Sequence, residues 1–479
     1  MYDLIVIGGG PAGVTAALRA RELGASVALV ERDRMGGICT NDGCVPTRVL
    51  AKAARLIRDA EQYDAYGLRG QPPTVDLRAL MARTQETVYR VHEKKQLLEH
   101  LRQSGADVWD QAGEAHFVDP HTVAVADGRT LKGRRFIICA GGHARRLTLP
   151  GSEHALTHSD VWRLDTCPAS MVIVGGAATG CQLASIFAAF GAEVTILDVA
   201  PNILGAEDEE VCQAMAVAFR QRGISVETEI GGIQEIVPNE GGLTLRYGPQ
   251  RVPRQLKAEM IIMAVGWVGN LDGLELAAAG VQTDRGYIVV SDCLQTSADH
   301  IYAAGDVTGR MMLVQTATHE GRAAAENALL GTERSYQHEV VPHGGFTDPE
   351  YASVGLTETA ARAQYDCAVA TVSYADLDRA VIDGRSEGFC KLIVTRDEGR
   401  VLGAHVVGEQ AVEVVQIAAA GMAAGTHVAQ LAELELAYPT FTAVIGLAAR
   451  RLVRELGLTP LASVWRELRR VAEWERREL

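Results

Sequence analysis

The chain has no apolar run long enough to span a bilayer, no Cys-x-x-Cys pair and no Cys/His cluster with metal-ligand spacing. A transmembrane segment and a structural metal are therefore not expected. It also lacks an excess of basic residues. The net charge is −14, with acids gathered in runs such as Glu207 to Glu210, and this balance argues against a nucleic-acid surface. Nine cysteines are an odd count without the close spacing of a small secreted domain, so an extracellular disulfide framework is not expected either. Cys139, Cys167, Cys181, Cys212, Cys293, Cys367 and Cys390 read as unpaired thiols. The first apolar run begins at Tyr2, leaving no room for a signal peptide, and the expected location is cytoplasmic.

That first run, Tyr2 to Ile7, is apolar and β-branched without alternation, as in a strand buried on both faces of a parallel sheet. It leads into Gly8-Gly9-Gly10-Pro11-Ala12-Gly13, where Gly8, Gly10 and Gly13 fit a G-x-G-x-x-G fingerprint. A helix from about Pro11 to Leu23 would present its N-terminal amides to a pyrophosphate. Val27 to Val30 form the next strand, ending in Glu31, which is placed to hold a ribose.

A second, imperfect copy lies mid-chain. Met171 to Val174 lead into Gly175-Gly176-Ala177-Ala178-Thr179-Gly180, then a helix to about Phe190 and a strand from Glu193 to Leu197 that ends at Asp198. Two such units suggest a flavin and a nicotinamide. In the second, Ala177 replaces the middle glycine, and its methyl group would crowd a close-lying pyrophosphate. Gly175, Gly180 and Asp198 are its candidate binding residues.

Two cysteines follow the first fingerprint, in Gly36-Gly37-Ile38-Cys39-Thr40-Asn41-Asp42-Gly43-Cys44-Val45-Pro46. Residues five apart in a regular helix are separated by about 7.5 Å along its axis, more than a bridged pair of Cα atoms allows. If Cys39 and Cys44 are bonded, they cannot share one regular helix. Gly43 and Pro46 suit an irregular first turn. Two free thiols and a redox-active pair both fit these residues taken alone.

These elements together resemble the FAD-dependent pyridine nucleotide–disulfide oxidoreductases, the family of lipoamide dehydrogenase, glutathione reductase and mercuric reductase. Thr296 to Gly309 resembles the family's second FAD motif, whose aspartate, here Asp306, binds the ribityl chain. Ala264-Val265-Gly266 matches the turn closing the nicotinamide domain, and Ala140-Gly141-Gly142 stands where Ala-Thr-Gly is usual. Phe346 to Glu350 and Ala352 to Gly355 resemble the start of the dimerisation domain. The resemblance implies an α/β fold with two Rossmann-like dinucleotide-binding domains and a C-terminal α+β dimerisation domain. It implies a homodimer in which NAD(P)H reduces FAD and FAD reduces a Cys39–Cys44 disulfide. Cys44 would face the flavin and Cys39 an acceptor. Gly8, Gly10, Gly13, Glu31, Gly37 and Asp306 would hold FAD; Gly175, Gly180, Gln182 and Asp198 would serve the nicotinamide side. NADH is favoured, because Asp198 would repel a 2′-phosphate and no arginine directly follows it.

The chain also departs from the family. Its His-Pro-Thr-x-x-Glu signature reads Tyr438-Pro439-Thr440-Phe441-Thr442-Ala443 here, so the thiol acid/base pair is replaced by Tyr438 and Ala443. This stretch is closer to mercuric reductase, but that enzyme's C-terminal paired cysteines are missing. The family's flavin-side lysine is Arg48, and the glutamate that should neutralise it is Gln182, so Arg48 is expected to stand uncompensated. The usual tyrosine gate is Ala178.

The expected organisation is residues 1–150 and 271–340 for the FAD domain, 151–270 for the nicotinamide domain and 341–457 for dimerisation. Val412 to Ala424 reads as a helix at the dimer face. Residues 458–479 would form an amphipathic helical extension from Pro460. The expected function is a redox enzyme with an unassigned acceptor: a metal ion, a quinone, a sulfur species or a protein. The competing reading is a non-catalytic redox-sensing or electron-transfer flavoprotein that binds nicotinamide poorly.

Overall fold

A computed structural model describes residues 1–336 and 338–458. It divides into two compact units, Met1–Tyr351 and the chain from Ala352 onward. The expected C-terminal helix from Pro460 lies outside the described residues.

The first unit holds two sheets of one plan. In the first, strands Asp107–Trp109, Val27–Val30, Tyr2–Ile7 and Thr130–Ile138 lie side by side and parallel, with Ile301–Ala303 beyond. In the second, Ser225–Glu227, Glu193–Leu197, Ser170–Val174 and Met260–Met263 repeat the order. Each has an antiparallel excursion before its fourth strand: Ala115–Asp119 with Thr122–Val125 in the first, and Ile233–Asn239, Gly242–Tyr247 and Arg254–Ala258 in the second.

The lack of alternation in Tyr2–Ile7 is explained by burial on both faces. Leu4 and Val6 pack with Ala16, Ala17 and Ala20 of the helix Pro11–Glu22, while Ile5 and Ile7 pack with Phe117, Phe136 and Ile138. Each such aliphatic side chain contributes about 1.5–3 kcal/mol by leaving water. The small residues of that helix admit the helix Val314–Leu330, whose Ala324, Ala325 and Ala328 share the cluster. A side chain at Gly321 would sit 2.2 Å from the Ala12 carbonyl, so the two helices meet backbone to backbone. This contact brings the Gly305–Asp306 turn up to the first fingerprint.

In the second unit, strands Val401–Gly408, Gly388–Thr395 and Cys367–Ser373 form an antiparallel sheet. The helix foreseen over 412–424 spans Ala411–Ala423; it packs against Val401–Gly408 and buries Val414, Val415, Ala418 and Ala419.

Candidate active site

The two outer glycines of the first fingerprint are required by the chain itself. A Cβ on Gly8 (φ 109°) would lie 2.2 Å from the Cys139 carbonyl oxygen, and one on Gly13 would lie 1.8 Å from that of Gly8. Gly10 differs: a Cβ there meets nothing nearer than the Gly37 Cα at 3.8 Å. Its missing side chain leaves room for a ligand rather than for protein. No side chain caps the helix Pro11–Glu22, so its first amides remain available to a phosphate group. Glu31 accepts hydrogen bonds from Gly9 N at 2.6 Å and Asp33 N at 2.8 Å, and burial raises its pKa. This cradle fits a dinucleotide such as FAD.

The loop that carries Cys39 and Cys44 is fastened to that cradle. Gly36 (φ 96°) donates its N–H to the Gly9 carbonyl at 2.8 Å, and a side chain on Gly37 (φ 61°) would come within 2.9 Å of Gly10 Cα. Cys39 lies in the short helix Gly37–Asn41. Asp42 and Gly43 (φ −127°, ψ −107°) break it, and Cys44 begins the helix Cys44–Ala60. The two thiols thus meet across a helix break and not within one helix. The structure carries them as free thiols in hydrogen-bonding contact; Cys39 is half-buried and Cys44 exposed. The Cys39 thiol lowers the Cys44 pKa, while the Cys44 thiol and burial raise that of Cys39.

Asp306 is electrostatically coupled to both thiols, and its own pKa is pushed up to about 6 by burial and then by Glu320. Glu320 is fully buried. One oxygen accepts from Gly305 N at 2.7 Å, and the other lies 2.8 Å from His338 Nε2. It therefore fixes the turn that presents Asp306. Sequence reasoning missed it because a glutamate inside a helix ordinarily reads as solvated; its position facing the Ala-rich stripe was the available signal.

The expectation for Arg48 is corrected. Its guanidinium lies 3.0 Å from Glu350 Oε1 and 4.4 Å from the centre of the Phe346 ring. Gln182 supports this arrangement from behind, accepting from Phe346 N at 3.1 Å. The anion has moved from the second fingerprint's helix to the strand that begins at Glu350. Arg58 and Arg222 both pair with Asp348 in the same segment.

The second cradle repeats the first. A Cβ on Gly175 (φ 105°) would lie 2.3 Å from Ala264 O, and one on Gly180 would lie 1.9 Å from Gly175 O. Asp198 accepts from Gly176 N at 2.6 Å and Ala200 N at 2.8 Å. Ala177 (φ −80°, ψ −174°) has the backbone conformation of Gly10 (φ −75°, ψ −174°), so its methyl group occupies the space that Gly10 leaves open. The helix Ala178–Ala189 packs against Cys44–Ala60, placing the second cradle's helix beside the helix that Cys44 begins.

Residues 2–321 match the model of the pyridine nucleotide-disulphide oxidoreductase family, and residues 341–449 match that of its dimerisation domain. The chain belongs to this family. It is 34% identical over 449 residues to a dihydrolipoyl dehydrogenase of Zymomonas mobilis, covering 92% of this chain and 96% of that one. It is also 34% identical over 468 residues to a soluble pyridine nucleotide transhydrogenase of Mycobacterium tuberculosis, covering 95% and 98%. Among solved structures, the HOCl-induced flavoprotein disulfide reductase RclA from Escherichia coli superposes with a TM-score of 0.82 at 27% identity, covering 94% of this chain and 99% of that one. A Cu(II) complex of RclA matches equally well, with the same TM-score of 0.82. As a member of this family, the chain is an FAD-dependent oxidoreductase that uses NAD(P)H.

Tyr438, where the family's disulfide reductases carry histidine, lies in the second unit with 77% of its surface exposed. Its hydroxyl donates to Asp378 Oδ2 at 2.6 Å, and that carboxylate raises its pKa above the ordinary value. Among the described residues no helix is long and apolar enough to cross a membrane, and no group of three His, Cys, Asp or Glu side chains could hold a metal ion.

Proposed function

We propose that the protein passes electrons from NADH through FAD to a Cys39–Cys44 disulfide, and from the resulting dithiol to an acceptor other than a standard small disulfide. The observation that carries this reading is the pair of interacting thiols, on either side of a helix break, in a loop tied by Gly36 and Gly37 to the first cradle. Bound FAD supplies the two-electron relay. Reducing the disulfide takes up two electrons and one proton, the equivalent of the hydride that NADH gives up, and leaves one thiolate and one thiol. Cys44 is the thiolate of this scheme; its exposed side is the one a flavin would cover. Cys39 is the attacking thiol toward the acceptor.

Gly8, Gly10, Gly13, Glu31, Gly37 and Asp306 form the FAD set, and Gly175, Gly180 and Asp198 the nicotinamide set. Asp198 keeps lone pairs for a ribose hydroxyl and disfavours a 2′-phosphate, which supports NADH over NADPH. The acceptor classes are a metal ion, a quinone, a sulfur species or a protein; the Cu(II) complex of RclA keeps metal ions among them. The protein acts in the cytoplasm as a homodimer, in keeping with its dimerisation domain. Ala177 favours the second reading, a redox sensor with weak nicotinamide binding. Anaerobic titration separates the two: stoichiometric NADH bleaches the flavin absorbance in an enzyme, whereas an unbleached spectrum overturns the electron path.

A further inference from the structure

With Arg48 drawn to Glu350, the charge beside the redox pair comes from another helix. Leu77–Lys95 ends against the redox loop and grips the two residues that follow Cys39. His92 Nε2 lies 2.7 Å from Asn41 Oδ1, and Lys95 Nζ donates to Thr40 Oγ1 at 3.1 Å. Asn41 Nδ2 in turn donates to the Met35 and Gly37 carbonyls at 3.2 and 3.0 Å, so the grip reaches the loop's backbone.

We propose that Lys95 is a positioning residue of the redox centre: held on Thr40, its ammonium offsets the anionic sulfur created when the Cys39–Cys44 bond is reduced. The inference rests on the electron path proposed above. Reduction breaks one S–S bond with two electrons and one proton and leaves one unit of negative charge on the pair. Among the described residues, and besides the thiols' action on each other, the charged groups with the largest effect on both are Lys95, which favours ionisation, and Asp306, which opposes it. His92 adds no charge at neutral pH, because burial and then the Arg34 and Lys95 cations depress its pKa. The guanidinium of Arg48 is taken up by Glu350 and the Phe346 ring.

The test is the pH dependence of iodoacetamide alkylation of the NADH-reduced holoenzyme. Lys95→Gln keeps a hydrogen-bond donor for Thr40 without the charge, and Lys95→Arg keeps the charge; FAD content checks that both are folded. The Gln variant should raise the midpoint of thiolate formation by about half a unit or more, and the Arg variant should track the wild type. Coincident Gln and wild-type profiles, or equal shifts in both variants, overturn the proposal. Peptide mapping of air-oxidised wild type runs alongside. Absence of a Cys39–Cys44 disulfide overturns the electron path and this inference with it, whereas a disulfide with an unshifted Gln profile overturns this inference alone.

Discussion

Arg48 and Glu350 form an ion pair at 3.0 Å, although 302 residues separate them in sequence. The pair restores a charge balance that Gln182, in the second fingerprint's helix, cannot provide.

Replacing Glu350 by Gln should therefore raise the two-electron midpoint potential. Reduction adds negative charge at the redox centre, and an Arg48 freed of its carboxylate stabilises that charge. The Arg48 side chain is 47% exposed, which limits such a pair to a few tenths up to about 1 kcal/mol, or roughly 5–20 mV for two electrons. Anaerobic potentiometry reads the shift; an unchanged or lowered value would separate Glu350 from the redox centre.

Ala177→Gly should lower the KM for NADH several-fold while leaving stability unchanged or slightly improved. The backbone at 177 already matches that at Gly10, and glycine serves better than alanine at a helix N-cap. Removing the methyl group frees the approach that a pyrophosphate needs. Steady-state kinetics with NADH and NADPH check both claims: NADH should keep the higher kcat/KM, and a higher value for NADPH would refute the role given to Asp198.

Turnover of oxidised glutathione or lipoamide should be low. A positioned acid/base contributes about 10²- to 10⁴-fold, and Tyr438, whose pKa is raised by Asp378, does not exchange a thiol proton at neutral pH. Tyr438→Phe should leave NADH-dependent flavin reduction unchanged, and Tyr438→His with Ala443→Glu should raise disulfide turnover. Wild-type rates equal to those of a dedicated disulfide reductase would contradict this account.

The parts of the site legible in the sequence were those set by local backbone demands. Gly8, Gly13, Gly175 and Gly180 are glycine because a Cβ would strike a carbonyl oxygen, and such requirements leave a fixed spacing. The strands Tyr2–Ile7, Val27–Val30 and Glu193–Leu197 matched their apolar runs residue for residue. The spacing argument at Cys39 and Cys44 excluded one regular helix only for a bonded pair, and Gly43, read as part of an irregular turn, lies at the break between their two helices. Contacts between distant segments left no such trace. Glu350, Glu320 and Lys95 are ordinary charged residues in strand or helix, and only the tertiary fold brings each to Arg48, Gly305 or Thr40. The absence of one expected glutamate therefore did not show that the charge was unpaired.

The central claim is that NADH electrons reach Cys39 and Cys44. Its most direct test is differential alkylation of the air-oxidised holoenzyme, before and after one equivalent of NADH under anaerobic conditions, read by peptide mass mapping. The account predicts that both cysteines are protected before NADH and labelled after it, with the labelling of the other seven unchanged. Equal labelling of Cys39 and Cys44 in both samples, or protection that NADH does not relieve, would contradict it.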